Sequence, residues 1–126
     1  MGRMNDQHYT EGLATRRAVL GEEYVDKALA SVDELSADLQ RLVTEFAWGT
    51  VWTRPGLERK QRSLITISLL TALNRPHELR VHVTGGLRNG LTKKEIVETI
   101  MHCAVYCGFP ATLDAMRVAR EVFEKS

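Results

Sequence analysis

The chain has 126 residues, and its 17 basic and 16 acidic side chains give a formal net charge of +1. This length indicates one domain, residues 1–126, and the balanced charge argues against nucleic acid and acidic membrane surfaces as partners. No apolar run reaches the roughly 18 residues that cross a bilayer. The N-terminal "MGRMNDQHYTEG" lacks the apolar core of a signal peptide, and two cysteines suit a reducing compartment. We therefore expect a cytoplasmic protein.

Helical periodicity runs through the N-terminal part of the chain, and no segment shows the alternation of a strand. Residues 9–20 form a first predicted helix that closes at Gly21, and "EEYVDKALASV" forms a short second one. Ser36 is a favourable N-cap for a third helix, "ADLQRLVTEFAWGTVW", which the turn residues "TRPG" end at residues 53–56. Its apolar residues recur at helical spacing: Leu39, Leu42, Val43 and Phe46.

A fourth helix is predicted over residues 57–73. Its second half, "LITISLLTAL", is apolar nearly all round, which is typical of a helix buried on several sides. Asn74 is the predicted cap of the next helix, which carries Pro76 in its first turn and ends at Asn89 and Gly90.

Thr92 and Glu95 form a predicted capping box for the following helix. Its core-facing residues are predicted to be Ile96, Val97, Ile100, Met101 and Ala104. Gly108 closes that helix, and Pro110 opens a final one that runs to about Lys125. The sequence therefore predicts an all-α, single-domain bundle of about six helices.

The fifth predicted helix carries an unusual set of ionisable groups and glycines, in "NRPHELRVHVTGGLRNGLT", residues 74–92. Glu78 and His82 are four residues apart and share a helix face, whereas His77 and His82 do not. A carboxylate beside an imidazole raises the imidazole pKa and orients the ring, which suits a proton donor near neutral pH. Gly85 and Gly86 then leave room for a ligand or another helix. The alternative is an exposed Glu–His pair with glycines that only permit close helix packing.

Two other sets of residues are weaker candidates. Glu78, His82 and His102 together lack any established zinc spacing, so no metal is expected. Cys103 and Cys107 lie one helical turn apart, which suits buried thiols better than a disulfide.

Aromatic and basic side chains surround the predicted turn at residues 53–56. Trp48 and Trp52 lie four apart on one helix face and are followed by Arg54. Two indoles at this spacing either belong to a core or line an apolar pocket that a cation closes around an anion. Arg62 belongs to a basic helical turn, for which a solvated face is the simple interpretation.

Two longer segments carry a resemblance to a known family: "FAWGTVWTRPGL" and "RSLITISLLTALNRPHELRVHVTGGLRNGLTKKEIVETIMHCAVYCGFPA". They resemble the carboxymuconolactone decarboxylase family, small α-helical proteins related in fold to the AhpD-type alkylhydroperoxidases. The N-terminal "QHYTEGLATRRAVLGEEYV" extends the likeness over nearly the whole chain. The peroxidase branch has a CxxC whose matching positions here are Arg75 and Glu78, so peroxidase activity is not expected. The same count makes His82 the family's histidine.

The resemblance implies decarboxylation of 4-carboxymuconolactone to 3-oxoadipate enol-lactone in protocatechuate catabolism, the β-ketoadipate pathway, without a cofactor. It implies His82 as the proton donor, or as the hydrogen-bond donor to the developing oxyanion, with Glu78 orienting it. Candidates for binding the substrate carboxylates are Arg54, Arg62 and Arg80. Candidates for lining the pocket are Trp48, Trp52 and His102.

The resemblance also implies a homo-oligomer, a hexameric ring. The apolar segments "LITISLLTAL" and "IVETIMHCAVYCGF" support this modestly, because one small protomer covers two such helices poorly. Two alternatives stay open: a non-catalytic oligomeric member that binds small molecules, and an enzyme acting on a different lactone.

Overall fold

The computed structural model describes residues 5–126, which contain seven α-helices, one π-helical segment and no strand. This confirms the all-α prediction, and the seven α-helices correspond to the seven segments predicted in chain order, one more than the stated total of about six. The first four residues, part of the segment examined for a signal peptide, lie outside the described range. Among residues 5–126, no helix combines the length and apolar character needed to cross a bilayer.

The chain divides into two compact units, which we call unit N, ending at Leu57, and unit C, Glu58–Ser126. Unit N consists of α1 (Asp6–Leu20), α2 (Glu22–Ala30), α3 (Ala37–Leu42) and the π-helix π1 (Val43–Val51). Unit C consists of α4 (Arg59–Ala72), α5 (Pro76–Arg88), α6 (Lys93–Cys107) and α7 (Phe109–Lys125).

In unit N, α1 and π1 pack with their backbones in contact at two glycines. A Cβ atom placed on Gly12 would lie 2.0 Å from the carbonyl oxygen of Thr44 and 2.7 Å from the amide nitrogen of Gly49. A Cβ atom on Gly49 would lie 2.1 Å from the carbonyl oxygen of His8. Only glycine lets two helices approach this closely, so this crossing fixes which face of π1 is buried.

The apolar residues that recur at helical spacing in the third predicted helix are not the ones that π1 buries. The buried residues of π1 are Thr44, Glu45, Trp48 and Gly49. Leu39 and Phe46 instead remain 63% and 65% exposed. The physical reason is the glycine crossing, which turns the Thr44–Trp48 side toward α1, together with the wider π-helical turn, which departs from a 3.6-residue period. Ser36 also makes no side-chain N-cap bond, because its hydroxyl accepts from the amide of Asp33 at 3.1 Å.

Unit C is built around an aliphatic core shared by its four helices. The core residues are Ile67, Leu79, Val83, Leu91, Ile96, Ile100, Ala115, Val118, Ala119 and Val122. The capping box that begins α6 is confirmed: the Thr92 hydroxyl accepts from the amide of Glu95 at 3.0 Å, and the Glu95 carboxylate accepts from the amide of Thr92 at 2.9 Å. Gly108, at φ 90°, separates α6 from α7 as predicted.

Three expectations for unit C need correction. The segment "LITISLLTAL" is buried on one side of α4, since Ile65, Leu69 and Leu73 are exposed at successive turns. Met101 is exposed as well, because it lies on the side of α6 away from the aliphatic core. Asn74 does not cap α5: Arg75 occupies that position, and Asn74 takes a left-handed φ of 54° in the turn before it.

Candidate active site

Helix α5 holds Glu78 and His82 on a rigid support. Pro76 begins the helix, and Leu79 and Val83 anchor it in the core of unit C. A Cβ atom on Gly86 would lie 3.0 Å from Leu91 Cδ1 and 3.3 Å from Ile67 Cδ1. Gly86 therefore permits close packing inside unit C, which is the role that the alternative interpretation gave to the glycines.

His82 is partly buried, and burial lowers its pKa from 6.5 to about 4. The expected rise of this pKa is therefore wrong. Glu78 lies one turn earlier on the same helix face, but its side chain is exposed, and a carboxylate in water stabilises an imidazolium only weakly. At neutral pH His82 is a neutral imidazole with one N–H donor and one acceptor nitrogen.

Arg80 points away from His82. The two residues are about 200° apart around α5, so their side chains leave the helix on opposite sides. Arg80 forms an ion pair with Glu121 of α7. Both line a cleft of about 400 Å³ together with Thr84, Arg88 and Lys125. The structure thus brings Arg80 together with α7.

His102 lies on α6, exposed and tilted against Tyr106 with the ring centroids 5.4 Å apart. It lines an open depression of about 430 Å³ between α4 and α6, together with Ile65, Ser68 and Glu98. His82 is not among the residues that line this depression. Pocket lining by His102 therefore remains a prediction.

The thiols of α6 are free, as predicted. Cys103 is buried, and its Sγ donates to the carbonyl oxygen of Ser68 at 3.8 Å. The Sγ of Cys107 donates to the carbonyl oxygen of Cys103 at 3.0 Å.

Arg62 is partly buried on α4, directly before the fully buried Ser63. The side-chain amide of Asn89 donates to the Ser63 hydroxyl at 2.9 Å and so ties the end of α5 to the start of α4. The sequence pattern gave no sign of this bond, because the two residues are far apart in the chain.

The tryptophan pair lies in unit N. Trp48 and Trp52 stack with their ring centroids 4.8 Å apart and their planes inclined by 29°. Trp48 is buried and Trp52 partly so, which confirms that both indoles share one helix face. Arg54 follows in the exposed turn at the end of π1.

A buried arginine in unit N escaped the sequence analysis. Arg16 is only 6% exposed, and its Nη1 donates to Gln40 Oε1 at 3.0 Å and to Thr44 Oγ1 at 3.3 Å. The available signal was its spacing, since Arg16 shares a side of α1 with Gly12 and Val19, both buried. A cation in the buried stripe of a helix calls for a partner.

In the part of the chain that the structure describes, no group of three or more His, Cys, Asp and Glu side chains is arranged to hold a metal ion.

Comparison with known proteins identifies relatives along nearly the whole chain. A 4-carboxymuconolactone decarboxylase of Acinetobacter baylyi is 48% identical over 122 residues, covering 96% of this chain and 91% of that protein. A nitrosuccinic acid decarboxylase of Metarhizium robertsii is 47% identical over 113 residues, covering 90% of this chain and 79% of that protein. An uncharacterized 15.0 kDa protein of Paracoccus denitrificans is 34% identical over 98 residues, covering 75% and 72%.

The sequence profile of one family matches residues 37–121, from the start of α3 into α7. It is the family whose resemblance was noted in the sequence, and that interpretation is confirmed. By this match and by its long, closely similar relatives, the chain belongs to the carboxymuconolactone decarboxylase family.

Proposed function

We propose that the protein decarboxylates 4-carboxymuconolactone to 3-oxoadipate enol-lactone and CO2, a step of protocatechuate catabolism through the β-ketoadipate pathway. One observation carries this proposal: the Acinetobacter baylyi decarboxylase is 48% identical over 96% of this chain. The similarity extends through unit N as well as unit C, so both units have counterparts in that enzyme. Two free thiols are in keeping with a cytoplasmic location.

The substrate supplies its own electron sink. It is an unsaturated five-membered lactone with a carboxylate on the carbon next to the ring oxygen and an acetate arm. When the bond to this carboxylate breaks, CO2 leaves without the electron pair, which moves through the ring double bond onto the lactone carbonyl oxygen. The resulting dienolate takes a proton on the carbon beside the carbonyl. No cofactor is needed as an electron acceptor, and the protein has to stabilise the oxyanion and direct the proton.

A neutral His82 fits one of its two expected roles better than the other. An imidazole with a pKa of about 4 carries no surplus proton at neutral pH, so it is a poor general acid. Its N–H is still a donor that can stabilise the dienolate oxygen, and one such donor contributes roughly 3 kcal/mol in the transition state. We therefore assign His82 the hydrogen bond to the oxyanion. Glu78 remains the residue proposed to orient it.

The substrate has two carboxylates, which call for cationic anchors. Arg54 and Arg62 are our proposed anchors. Arg80 is the weaker candidate. Its side chain leaves α5 on the side opposite His82, and it already forms an ion pair with Glu121. Trp48 and Trp52 are proposed to supply an apolar wall, which would favour departure of neutral CO2.

The test is a direct assay with 4-carboxymuconolactone, on the wild-type protein and His82→Phe, which keeps an aromatic ring but removes the N–H donor. We expect turnover by the wild-type protein and a loss of about a hundredfold or more in the variant, the effect of one oxyanion donor. His77→Phe is the matched control, because His77 is exposed on another side of α5. A folded His82→Phe with near-normal turnover would remove His82 from the mechanism. A wild-type protein that binds the lactone without converting it would favour the non-catalytic alternative.

Nitrosuccinic acid is a second candidate substrate, because a decarboxylase of that compound is 47% identical over 90% of this chain. The two substrates have two features in common. Both are dicarboxylates, and in both the electron pair left by the departing CO2 moves onto an adjoining group. That group is the lactone carbonyl in 4-carboxymuconolactone and the nitro group in nitrosuccinic acid. Side-by-side values of kcat/KM for the two compounds decide between them. A higher value for nitrosuccinic acid than for the lactone would reverse our assignment.

We further propose that the protein is a homo-oligomer, the hexameric ring that the family resemblance implies. Large apolar side chains at the α6–α7 junction support this, since Val105, Tyr106 and Phe109 are 76%, 80% and 72% exposed. Monomers rarely leave such side chains clustered in water. Light scattering should give a mass well above the 14.2 kDa of one chain, reduced in Val105→Ser but not in Arg120→Ser, an exposed control on α7. An active protein at the mass of one chain would refute the assembly.

A further inference from the structure

The cleft between α5 and α7 in unit C combines charged side chains with apolar surface. Its volume of about 400 Å³ is within the range of small-molecule sites. Leu87 of α5 and Val122 of α7 lie at its floor, since both also pack in the core of unit C. The ionisable side chains that line it are three cations and one carboxylate: Arg80, Arg88, Lys125 and Glu121. The cleft therefore carries an excess of positive charge.

Two of these cations have no counter-charge. Arg80 and Glu121 form an ion pair and so neutralise each other. No group of residues 5–126 forms an ion pair or a hydrogen bond with the side chain of Arg88 or Lys125. Glu121 precedes Lys125 by one turn of α7, but its carboxylate is used by Arg80. The positive charge that remains in the cleft belongs to Arg88 and Lys125.

These two cations lie at the same end of the cleft. Pro76 at the start of α5 lines a small cavity with Asp114 near the start of α7, and Arg80 pairs with Glu121 further along both helices. The helices therefore run in the same direction, and Arg88 and Lys125 are the last residues of each. Two like charges beside one cleft repel each other, and an anion bound between them would attract both.

A cation at the C-terminal end of a helix often serves the helix itself, by interacting with carbonyl groups that lack amide partners. Those carbonyls have other partners in both helices. The last carbonyls of α5 accept hydrogen bonds from backbone amides in the turn that follows, at Asn89, Gly90 and Leu91. In α7 the Phe123 carbonyl accepts from Lys93 Nζ at 3.4 Å. Neither helix end therefore accounts for Arg88 or Lys125 in the cleft.

We propose that this cleft binds a small aromatic acid, with its carboxylate between Arg88 and Lys125 and its ring on Leu87 and Val122. The planar guanidinium matches both oxygens of a carboxylate, and the lysine adds a second cation from the other wall. A flat ring suits a cleft walled by two helices, because each of its faces meets aliphatic side chains.

The cleft is separate from the site proposed for decarboxylation. His82 is not among the residues that line it, and its side chain leaves α5 on the side opposite Arg80. The inference therefore does not depend on the proposed function. A folded His82→Phe should bind the acid as wild type does, and loss of binding in that variant would place the acid elsewhere and overturn the inference.

2-Naphthoate is a suitable probe, because it combines one carboxylate with a flat apolar ring system. Isothermal titration calorimetry of the full chain should show saturable binding of one molecule per chain. Arg88→Gln and Lys125→Gln should each lower the affinity about fivefold or more, and the double variant about twentyfold or more. Thr84→Phe should lower the affinity as well, because Thr84 is exposed in the α5 wall of the cleft and a larger ring there fills it.

Arg120→Gln is the matched control for charge. Arg120 is an exposed cation of α7 that does not line the cleft, so its loss should leave the affinity within about twofold of wild type. 2-Naphthamide has the rings without the charge and inorganic phosphate has the charge without the rings, so each should bind about tenfold more weakly or worse. Equal losses in Arg88→Gln and Arg120→Gln would overturn the inference, as would either compound binding as tightly as 2-naphthoate, or no saturable binding.

Unfolding temperatures distinguish a ligand site from cations that serve the fold. Without 2-naphthoate, the double variant of Arg88 and Lys125 should unfold close to the wild-type temperature, because the helix-end carbonyls keep their other partners. The acid should raise the unfolding temperature of wild type and of Arg120→Gln, and much less that of the double variant. A double variant that is destabilised on its own, yet gains as much from the acid as wild type, would assign both cations to the fold and overturn the inference.

Discussion

Units N and C reach close packing by different means. In unit C, four helices bury a shared set of aliphatic side chains, among them Ile67, Ile96 and Ile100, each fully buried. In unit N, the backbones of α1 and π1 touch at Gly12 and Gly49, and the residues buried beside this crossing are largely polar. One unit is held by methyl groups that can adjust, and the other by main-chain atoms that cannot.

This difference decides how each unit responds to substitution. Aliphatic side chains relieve a small intrusion by changing rotamer, at a modest energetic cost. A carbonyl oxygen in a helix has no such freedom, because moving it breaks the hydrogen bonds of the whole turn. We therefore expect unit N to be the more sensitive unit to changes of backbone contact, and unit C to changes of side-chain volume.

Alanine at two buried glycines, Gly12 in unit N and Gly86 in unit C, tests this comparison most directly. Gly12→Ala would place Cβ 2.0 Å from the Thr44 carbonyl oxygen and should cost about 3 kcal/mol or more in the free energy of unfolding. The close neighbours of a Cβ atom in Gly86→Ala are the ends of the Leu91 and Ile67 side chains, with Ser63 Cβ at an ordinary contact distance of 3.8 Å, and the variant gains about 1 kcal/mol of helix propensity. Its net effect should stay within about 1 kcal/mol. Urea denaturation of both variants measures the two values.

Gly56→Ala is the control for these variants, because a Cβ atom there has no neighbour within 4 Å. It should leave the urea midpoint nearly unchanged. Equal losses for Gly12→Ala and Gly86→Ala would mean that side chains and backbone resist intrusion alike, and the contrast between the units would fail.

The sequence predicted local features better than it predicted which side of a helix is buried, and the reason lies in the range of the interactions. The Thr92–Glu95 capping box and the break at Gly108 depend on residues within a few positions of each other, so local chemistry is enough to identify them. Which side of π1 is buried depends on Gly12, more than thirty residues away. The helical spacing of Leu39 and Phe46 therefore does not identify the buried side of this segment.

The candidate site shows the same limit. Helical spacing placed Glu78 and His82 on one face, and the resemblance singled out His82. Neither revealed that the imidazole is partly buried while the carboxylate stays in water, and this difference reverses the direction of the pKa shift. Arg16 escaped notice because helix periodicity gives the position of a charge but not the acids available to it.

The stability of the protein should depend on pH through His82. Its pKa is about 4 in the folded chain and 6.5 when unperturbed, so between these values the unfolded state binds a proton that the folded state does not. The free energy of unfolding should therefore fall as pH decreases from 6.5 to 4. The shift of 2.5 units corresponds to about 3 kcal/mol, fully lost below pH 4.

Comparing variants isolates this contribution from the acid groups that also titrate in the window. Stability curves from urea denaturation should show the His82 component in wild type and in His77→Gln, and should lack it in His82→Gln. A His82→Gln curve that falls as steeply as wild type between pH 6.5 and 4 would contradict the lowered pKa. A curve that matches the expectation would show that the stability of unit C depends on the protonation of His82 as well as on its aliphatic core.

The smallest effect concerns the capping box at the start of α6, a local feature that sharpens the contrast between the units. Thr92→Ala removes the acceptor for the Glu95 amide and leaves that donor to water, at a cost of about 1 kcal/mol. Thr92→Ser should restore most of it. In unit N, Thr10→Ala is the matched control, because the Thr10 hydroxyl only donates to the Asp6 carbonyl oxygen within α1. Urea denaturation midpoints measure the stability of all three variants. If Thr92→Ala loses no more stability than Thr10→Ala, the capping box contributes little, and unit C depends on its aliphatic core alone.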